Sequence, residues 1–276
     1  MAAEGSTGVK LSLRLARGTL LILAGVSLTA EWVAPHHYAE QFREAINEPP
    51  SWRFPLGTDG LGRDRLSRLI YGARVSLLLA PLAAGLATSL AGFIGIASSL
   101  SGPWLERLLL VSTDLWMTLP WVFLLLTARA LLPLDTEPFA SVTITFLLLG
   151  LLGWPATARI VAARAQQISQ ATYLLQARAC GERRHQLWFR HVWPNLRPVL
   201  LAQFWVLVPA FILAEANLSF LGLGVSEPLP SWGSLLRDLE NPGALWTQPW
   251  IAAPAVVVVI VIACLHGVLP ETGGRQ

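Results

Sequence analysis

VSLLLAPLAAGLATSLAGFIGIASSL, residues 75–100, runs for 26 residues without a charged side chain. Hydrocarbon offers no partner to backbone N–H and C=O groups, so a segment that enters it must bond to itself, and a helix of about 20 residues reaches across. The stretch therefore predicts a membrane-spanning helix, and its surroundings read the same way. Residues 139–158 and 250–269 give 20 uncharged residues each, while 108–128 and 199–226 are apolar except for Asp114 and Glu215. Five spans follow from these runs. Of the 276 residues 54% are hydrophobic and 13% charged, where soluble domains carry about 25% charge, so no polar-faced domain of ordinary size remains.

Residues 11–34 make a sixth candidate. The uncharged core of that segment, 18–30, is short, with Arg14 and Arg17 before it and Glu31 after it. A basic start followed by an apolar run resembles a secretion signal, but the cleavage pattern is indistinct and five spans follow. We therefore read it as a retained first helix. Six spans put both termini on one side, and the bias of Lys and Arg chooses which. With the N-terminus inside, 12 of the 20 basic residues are cytoplasmic. The segment 159–198 carries the argument, holding seven arginines against the single acid Glu182.

That segment has internal order beyond its charge. A helix-forming run, Tyr173-Leu174-Leu175-Gln176-Ala177-Arg178-Ala179, is stopped by Gly181, a natural helix C-terminus. A second amphipathic stretch, Leu187, Trp188, Phe189 and Val192, runs to Pro194, which is expected to end it. Two short helices making a rigid protrusion are predicted. Contact with anionic lipid head groups alone is the plainer reading of so basic a loop.

The spacing of small residues before Gly181, followed by Arg190-His191-Val192-Trp193-Pro194-Asn195, resembles the "EAA" loop of binding-protein-dependent ABC importer permeases. Further stretches are similar to the dipeptide/oligopeptide/nickel subgroup, in its C-type component. They are Pro55-Leu56-Gly57-Thr58-Asp59-Gly60-Leu61-Gly62-Arg63-Asp64, Ser67 to Arg74, Glu215 with Ser219-Phe220-Leu221-Gly222-Leu223-Gly224, and Pro230-Ser231-Trp232-Gly233.

The resemblance implies a MetI-like, all-α permease fold of six spans with a cytoplasmic coupling helix. It implies an inner-membrane location with both termini cytoplasmic. The implied partners are a second permease subunit, two cytoplasmic ATP-binding subunits that hold ATP and Mg, an extracytoplasmic solute-binding protein and the lipid bilayer, with no nucleic acid. Transport of peptides or a similar small solute, nickel included, by alternating access is the implied function. Tyr173, Leu175, Gln176, Ala177, Arg178, Ala179, Gly181, Arg190, His191, Pro194 and Asn195 are then the residues of ATPase coupling. The sequence departs from the family at Leu175, where an acid usually stands, at Gln176, and in its tail 271–276. The implied organisation is a cytoplasmic N-terminus (1–10), a first span (11–34), an extracytoplasmic loop with an interfacial helix (35–74) and a five-helix permease domain (75–270).

No nucleotide or metal site of its own is expected. Gly57, Gly62, Arg63 and Asp64 mimic the front of a phosphate loop, but the Lys and the Ser or Thr that reach phosphate and magnesium are missing. The two cysteines, Cys180 and Cys264, lie in different elements and the histidines are scattered, so neither a disulfide nor a zinc site is indicated. Leu66, Leu69, Ile70 and Ala73 recur at helical spacing, predicting an interfacial helix that feeds the second span; a plain capping structure at the membrane surface and a contact of Arg65 and Arg68 with the solute-binding protein both stay open.

Within the spans, Asp114 and Glu215 either line a pathway or bond helix to helix, because charge in hydrocarbon is costly. Pro120 and Pro155 permit bends. Arg129 and His266 read as interfacial side chains, not as sites. The loop 222–249 is too apolar to stand free in water. A membrane-embedded enzyme is the rival from another class, but the chain lacks Gly-x-Ser-x-Gly and His-Glu-x-x-His. A self-sufficient secondary transporter would show internal repeats, and none is seen.

Overall fold

The computed structural model describes residues 2–131, 137–240 and 242–268. The expected tail, 271–276, lies outside them. All regular structure among the described residues is helical, apart from one antiparallel bridge between Thr58 and Asp64. The principal helices are α1 (Ala2–Leu28), α2 (Ala30–Val33), α3 (Arg65–Leu100), α4 (Pro103–Thr118), α5 (Trp121–Ala130), α6 (Pro138–Leu152), α7 (Pro155–Ser169), α8 (Thr172–Ala179), α9 (Arg184–Leu187), α10 (Trp193–Phe220), α11 (Trp232–Leu236), α12 (Pro242–Thr247) and α13 (Ala253–Val268).

Four stretches among the described residues are long and apolar enough to cross a membrane: Arg65–Ser99, Pro138–Ser169, Trp188–Ser219 and Pro249–Val268. The pair α4 and α5, which meet at Pro120 with a bend of 71°, makes a fifth when counted as one broken span. Proline cannot donate to the turn before it and its ring crowds that turn, so the span expected at 108–128, with a bend permitted at Pro120, is two helices. α1 is not among the apolar stretches, because Glu4, Lys10, Arg14 and Arg17 interrupt its first half. It packs against α13 instead.

The helix expected to feed the second span is present: α3 starts at Arg65 and runs unbroken to Leu100, so the boundary drawn at 74/75 falls inside one helix. One expectation about a helix end is corrected: Pro194 does not end the second stretch of the basic segment. A π turn, Trp188–Val192, leads directly into α10, of which Pro194 is the second residue. Trp193 N–H donates to Trp188 C=O, five residues back. This wider turn makes room for a proline ring that would otherwise press on the carbonyl four residues earlier.

The chain divides into two compact units. The first comprises Met1–Ala80, Arg129–Phe146 and Pro209–Leu269. Its folded cap over 35–64 turns on Gly57 and Gly62, both at positive φ (68° and 72°). A Cβ on Gly62 would overlap Phe42 C=O, whose own residue donates its N–H to Gly62 C=O at 2.9 Å. Asp64 caps α3 by accepting from Ser67 N–H at 3.0 Å and from the Ser67 hydroxyl. His36 N–H in turn donates to Ser67 Oγ at 3.0 Å. The capping carboxylate thus ties the cap to the helix it starts.

The second unit contains Pro81–Ala128 and Leu147–Val208. Gly95 lets α3 and α7 touch at backbone distance, since a Cβ there would lie 2.9 Å from Ala158 C=O and Val161 Cβ. Two polar pairs join α4 to α7: Arg159 to Asp114 at 2.6 Å, and Gln166 to Glu106.

Candidate functional site

The basic segment is built on an apolar floor. Val161, Ala165 and Ile168 from α7, Leu174 from α8, Leu187 and Val192 from the turn region and Leu196 from α10 form one buried cluster, each at most 5% exposed. Ile96, Ala177, Trp188 and Leu200 pack around it. Removing this much hydrocarbon from water is what holds a short helix that could not persist alone.

α8 ends in a closed turn. Cys180 N–H donates to Gln176 C=O at 2.9 Å and Glu182 N–H to Ala177 C=O at 3.2 Å. Gly181 between them has φ of +81°, the left-handed position at which glycine is favoured. A Cβ at Gly181 would meet nothing within 4 Å, so conformation, not room, selects glycine. Arg183 N–H is then held by Gln186 Oε1 at 3.0 Å, starting α9.

Polar contacts join the two ends of the segment. His191 Nε2 lies 3.1 Å from Glu182 Oε2, and Asn195 Nδ2 donates to His191 C=O at 2.7 Å. The Tyr173 and His191 rings are 6.2 Å apart. Of the residues expected to serve coupling, Tyr173, Gln176, Ala179, Gly181, Arg190, Pro194 and Asn195 are exposed, and Ala177 and His191 half-buried. The side chains of Leu175 and Arg178 lie outside the described positions. An open depression of about 540 Å³ is lined by Glu182, Gln186, Phe189 and Arg190, and Phe189 is 77% exposed. The surface is therefore a polar and aromatic relief standing on an apolar base.

Asp114 and Glu215 behave differently. Asp114 is half-exposed and ion-paired with Arg159, which sits on α7 and not in an open loop. Glu215 is fully buried and accepts from Ser231 Oγ at 2.7 Å and Ser219 Oγ at 2.9 Å. Gly233 leaves the space this carboxylate fills, for a Cβ there would stand 2.7 Å from Glu215 Oε2 and from Ala216 Cα. Glu215 thus fastens the Ser231 turn to α10. Trp232, also fully buried, donates its indole N–H to Leu69 C=O at 3.3 Å.

Three arginines are committed to partners within the chain. Arg129 is buried and donates to Leu223 C=O and Gly224 C=O, each at 3.0 Å, and to Ser141. Arg65 and Arg68 are held as well. Arg65 donates to Thr58 C=O at 3.0 Å and pairs with Asp238, and Arg68 pairs with Glu227 at 3.1 Å. Arg63 bridges Asp59 at 2.7 Å and Glu227 at 2.6 Å. Burial works against its charge, but the two facing carboxylates outweigh that and hold the guanidinium above its ordinary pKa. Asp59 and Thr58 are close in the chain, but Glu227, Asp238, Leu223 and Gly224 are distant, and no local signal marks them as partners. Among the described residues no group of three or more His, Cys, Asp or Glu is placed to hold a metal ion.

A many-helix membrane protein with a packed, exposed turn between two of its apolar stretches is the class these observations define. Residues 69–269 match the family described as the binding-protein-dependent transport system inner membrane component, and the chain belongs to it. It is 32% identical over 260 residues to a di/tripeptide transport system permease protein of Pseudomonas aeruginosa, covering 90% of this chain and 81% of that one. It is 30% identical over 248 residues to an oligopeptide transport system permease protein of Mycobacterium bovis, covering 90% and 83%. A protein of Brucella suis, provisionally named a peptide permease protein, is 36% identical over 206 residues, or 75% of this chain. The chain spans 66% of that relative's length, just under two thirds.

Proposed function

We propose that the chain is a membrane-spanning permease subunit of an ATP-binding-cassette importer, and that its solute is a peptide. Family membership supports the transport role, and the names of the relatives narrow the solute to peptides over nickel. The chain itself binds neither ATP nor Mg; those belong to two cytoplasmic ATPase subunits. A second, similar permease subunit completes the pathway, and an extracytoplasmic binding protein delivers the solute. The membrane is the bacterial inner membrane, α1 is the first of six spans, and both termini are cytoplasmic.

The observation that carries the coupling role is the exposed α8–Gly181 turn fixed on a buried apolar floor. Such a base transmits a push without absorbing it, because packed interiors yield little under load. ATP-driven closure of the ATPases moves this turn, and α7 and α10 pass the motion to the pathway. Leu175 stands where an acid is usual, so shape and packing transmit the force in place of a salt bridge.

Gly181 supplies the test. Gly181→Val places a β-branched residue at positive φ and should abolish peptide uptake by the assembled transporter while the chain still inserts. Gly181→Asn, which tolerates that conformation, should retain most of it. Full uptake by Gly181→Val would overturn the coupling role.

A further inference from the structure

Asp59, Arg63, Arg68 and Glu227 form a network in the first unit in which the charges are unequally sheltered. The side chains of Asp59, Arg63 and Arg68 are 10%, 9% and 3% exposed, whereas that of Glu227 is 54% exposed. Asp59 is committed locally, its Oδ1 accepting from the N–H groups of Leu61 and Arg63 at 2.9 Å and its Oδ2 from Arg63 Nε. Glu227 comes from the irregular stretch between α10 and α11 and hydrogen-bonds to both guanidinium groups.

Arg68 is not satisfied by it. The Nε and Nη1 groups of Arg68 are buried and have no hydrogen-bond acceptor among the described residues, the Asp59 carboxylate standing 3.8 Å from Nε. Donors left unmade in a buried guanidinium are costly, and its planar fork fits a carboxylate with two parallel bonds. Asp59 neutralises one arginine, so removal of Glu227 would leave a single positive charge with the partly exposed place of one carboxylate beside it.

We propose that Arg63 and Arg68 form a carboxylate-binding site that Glu227 occupies as an exchangeable internal ligand. A carboxylate from outside the chain, whether at a peptide end or on an acidic side chain, displaces Glu227 and, bridging from Nη2, takes up one of the spare donors of Arg68. Displacement frees the stretch after α10 from the cap, so binding and release of that stretch are linked.

The test is binding by the purified full-length chain in detergent, read as thermal unfolding, and it is independent of transport. Glu227→Gln should unfold at a lower temperature than the parent, and millimolar acetate should restore several degrees while acetamide does not. Adding Arg68→Met should abolish the response. Glu227→Asp, which keeps the charge but withdraws it by one methylene, covers the case in which Glu227→Gln fails to fold: it should bind acetate more tightly than the parent. N-acetylglycylglycine carries a chain-end carboxylate and N-acetylisoglutamine a side-chain carboxylate. A response to either supports the site, and the larger one names the source. Equal effects of acetate and acetamide, or a response that survives Arg68→Met, would overturn the proposal.

Discussion

The junction of the cap with α3, residues 63–68, and the exposed turn of the basic segment, residues 183–190, both carry several arginines, yet they use them in opposite ways. In the cap and the start of α3, Arg63, Arg65 and Arg68 are turned inward onto carboxylates and a carbonyl. In the basic segment Arg183 and Arg190 are exposed, and the structural support comes from hydrocarbon beneath them. Charge that is matched within the chain builds shape; charge left outward is available to something else. Composition alone cannot separate the two, since only the partners differ.

The comparison can be broken at its strongest point by removing the floor of the basic segment. Leu174 is 1% exposed, and Leu174→Ala should cost about 2–5 kcal/mol. Hydrogen exchange should rise at 172–183 and stay unchanged at 58–68; a uniform rise would mean that the segment has no support of its own. Next, Gly233→Ala drives a methyl against Glu215 and Ala216, an overpacking cost of about 1–3 kcal/mol, seen as a lowered unfolding temperature in detergent. Wild-type stability there would mean that the Ser231 turn can shift without loss.

Asp64→Ala removes the cap of α3 and should cost about 0.5–2 kcal/mol, with faster exchange at the amides of Arg65 to Ser67. The smallest change in stability, within about 0.5 kcal/mol, is expected for Arg190→Ala, because that side chain is exposed. Peptide uptake should nevertheless fall several-fold in the assembled transporter. Unimpaired uptake would place Arg190 among the charges that serve only orientation in the membrane.

Much of the fold is legible in the sequence because lipid imposes one rule on every backbone that crosses it. The uncharged runs mark the long helices, and Gly181 marks the end of α8. The features that escape are set by contacts between distant residues. Arg129 lies near the end of an apolar run, and nothing local says that its acceptors are Leu223 and Gly224. Arg65 and Arg68 read as side chains on the polar faces of a short helix, whereas the carboxylates they pair with, Asp238 and Glu227, sit 173 and 159 residues away. Pro194 reads as a stop because proline normally forbids an α turn; the π turn that admits it leaves no mark in composition. Glu215 is legible as costly, but the two serines that donate to its Oε1 are not.

The π turn at Trp188–Val192 also acts as a phase shifter. An α-helix advances roughly 100° per residue, so one extra residue in a turn rotates everything before it by that amount about the axis of the helix beyond. Deleting a single residue there would let α9 and α10 merge in regular register. It would also swing Phe189 and the α8–Gly181 turn around α10 by more than a quarter of a revolution, at almost unchanged composition and charge. The azimuth of the exposed turn is therefore encoded in one surplus residue, as the setting of a cam is fixed by its keyway.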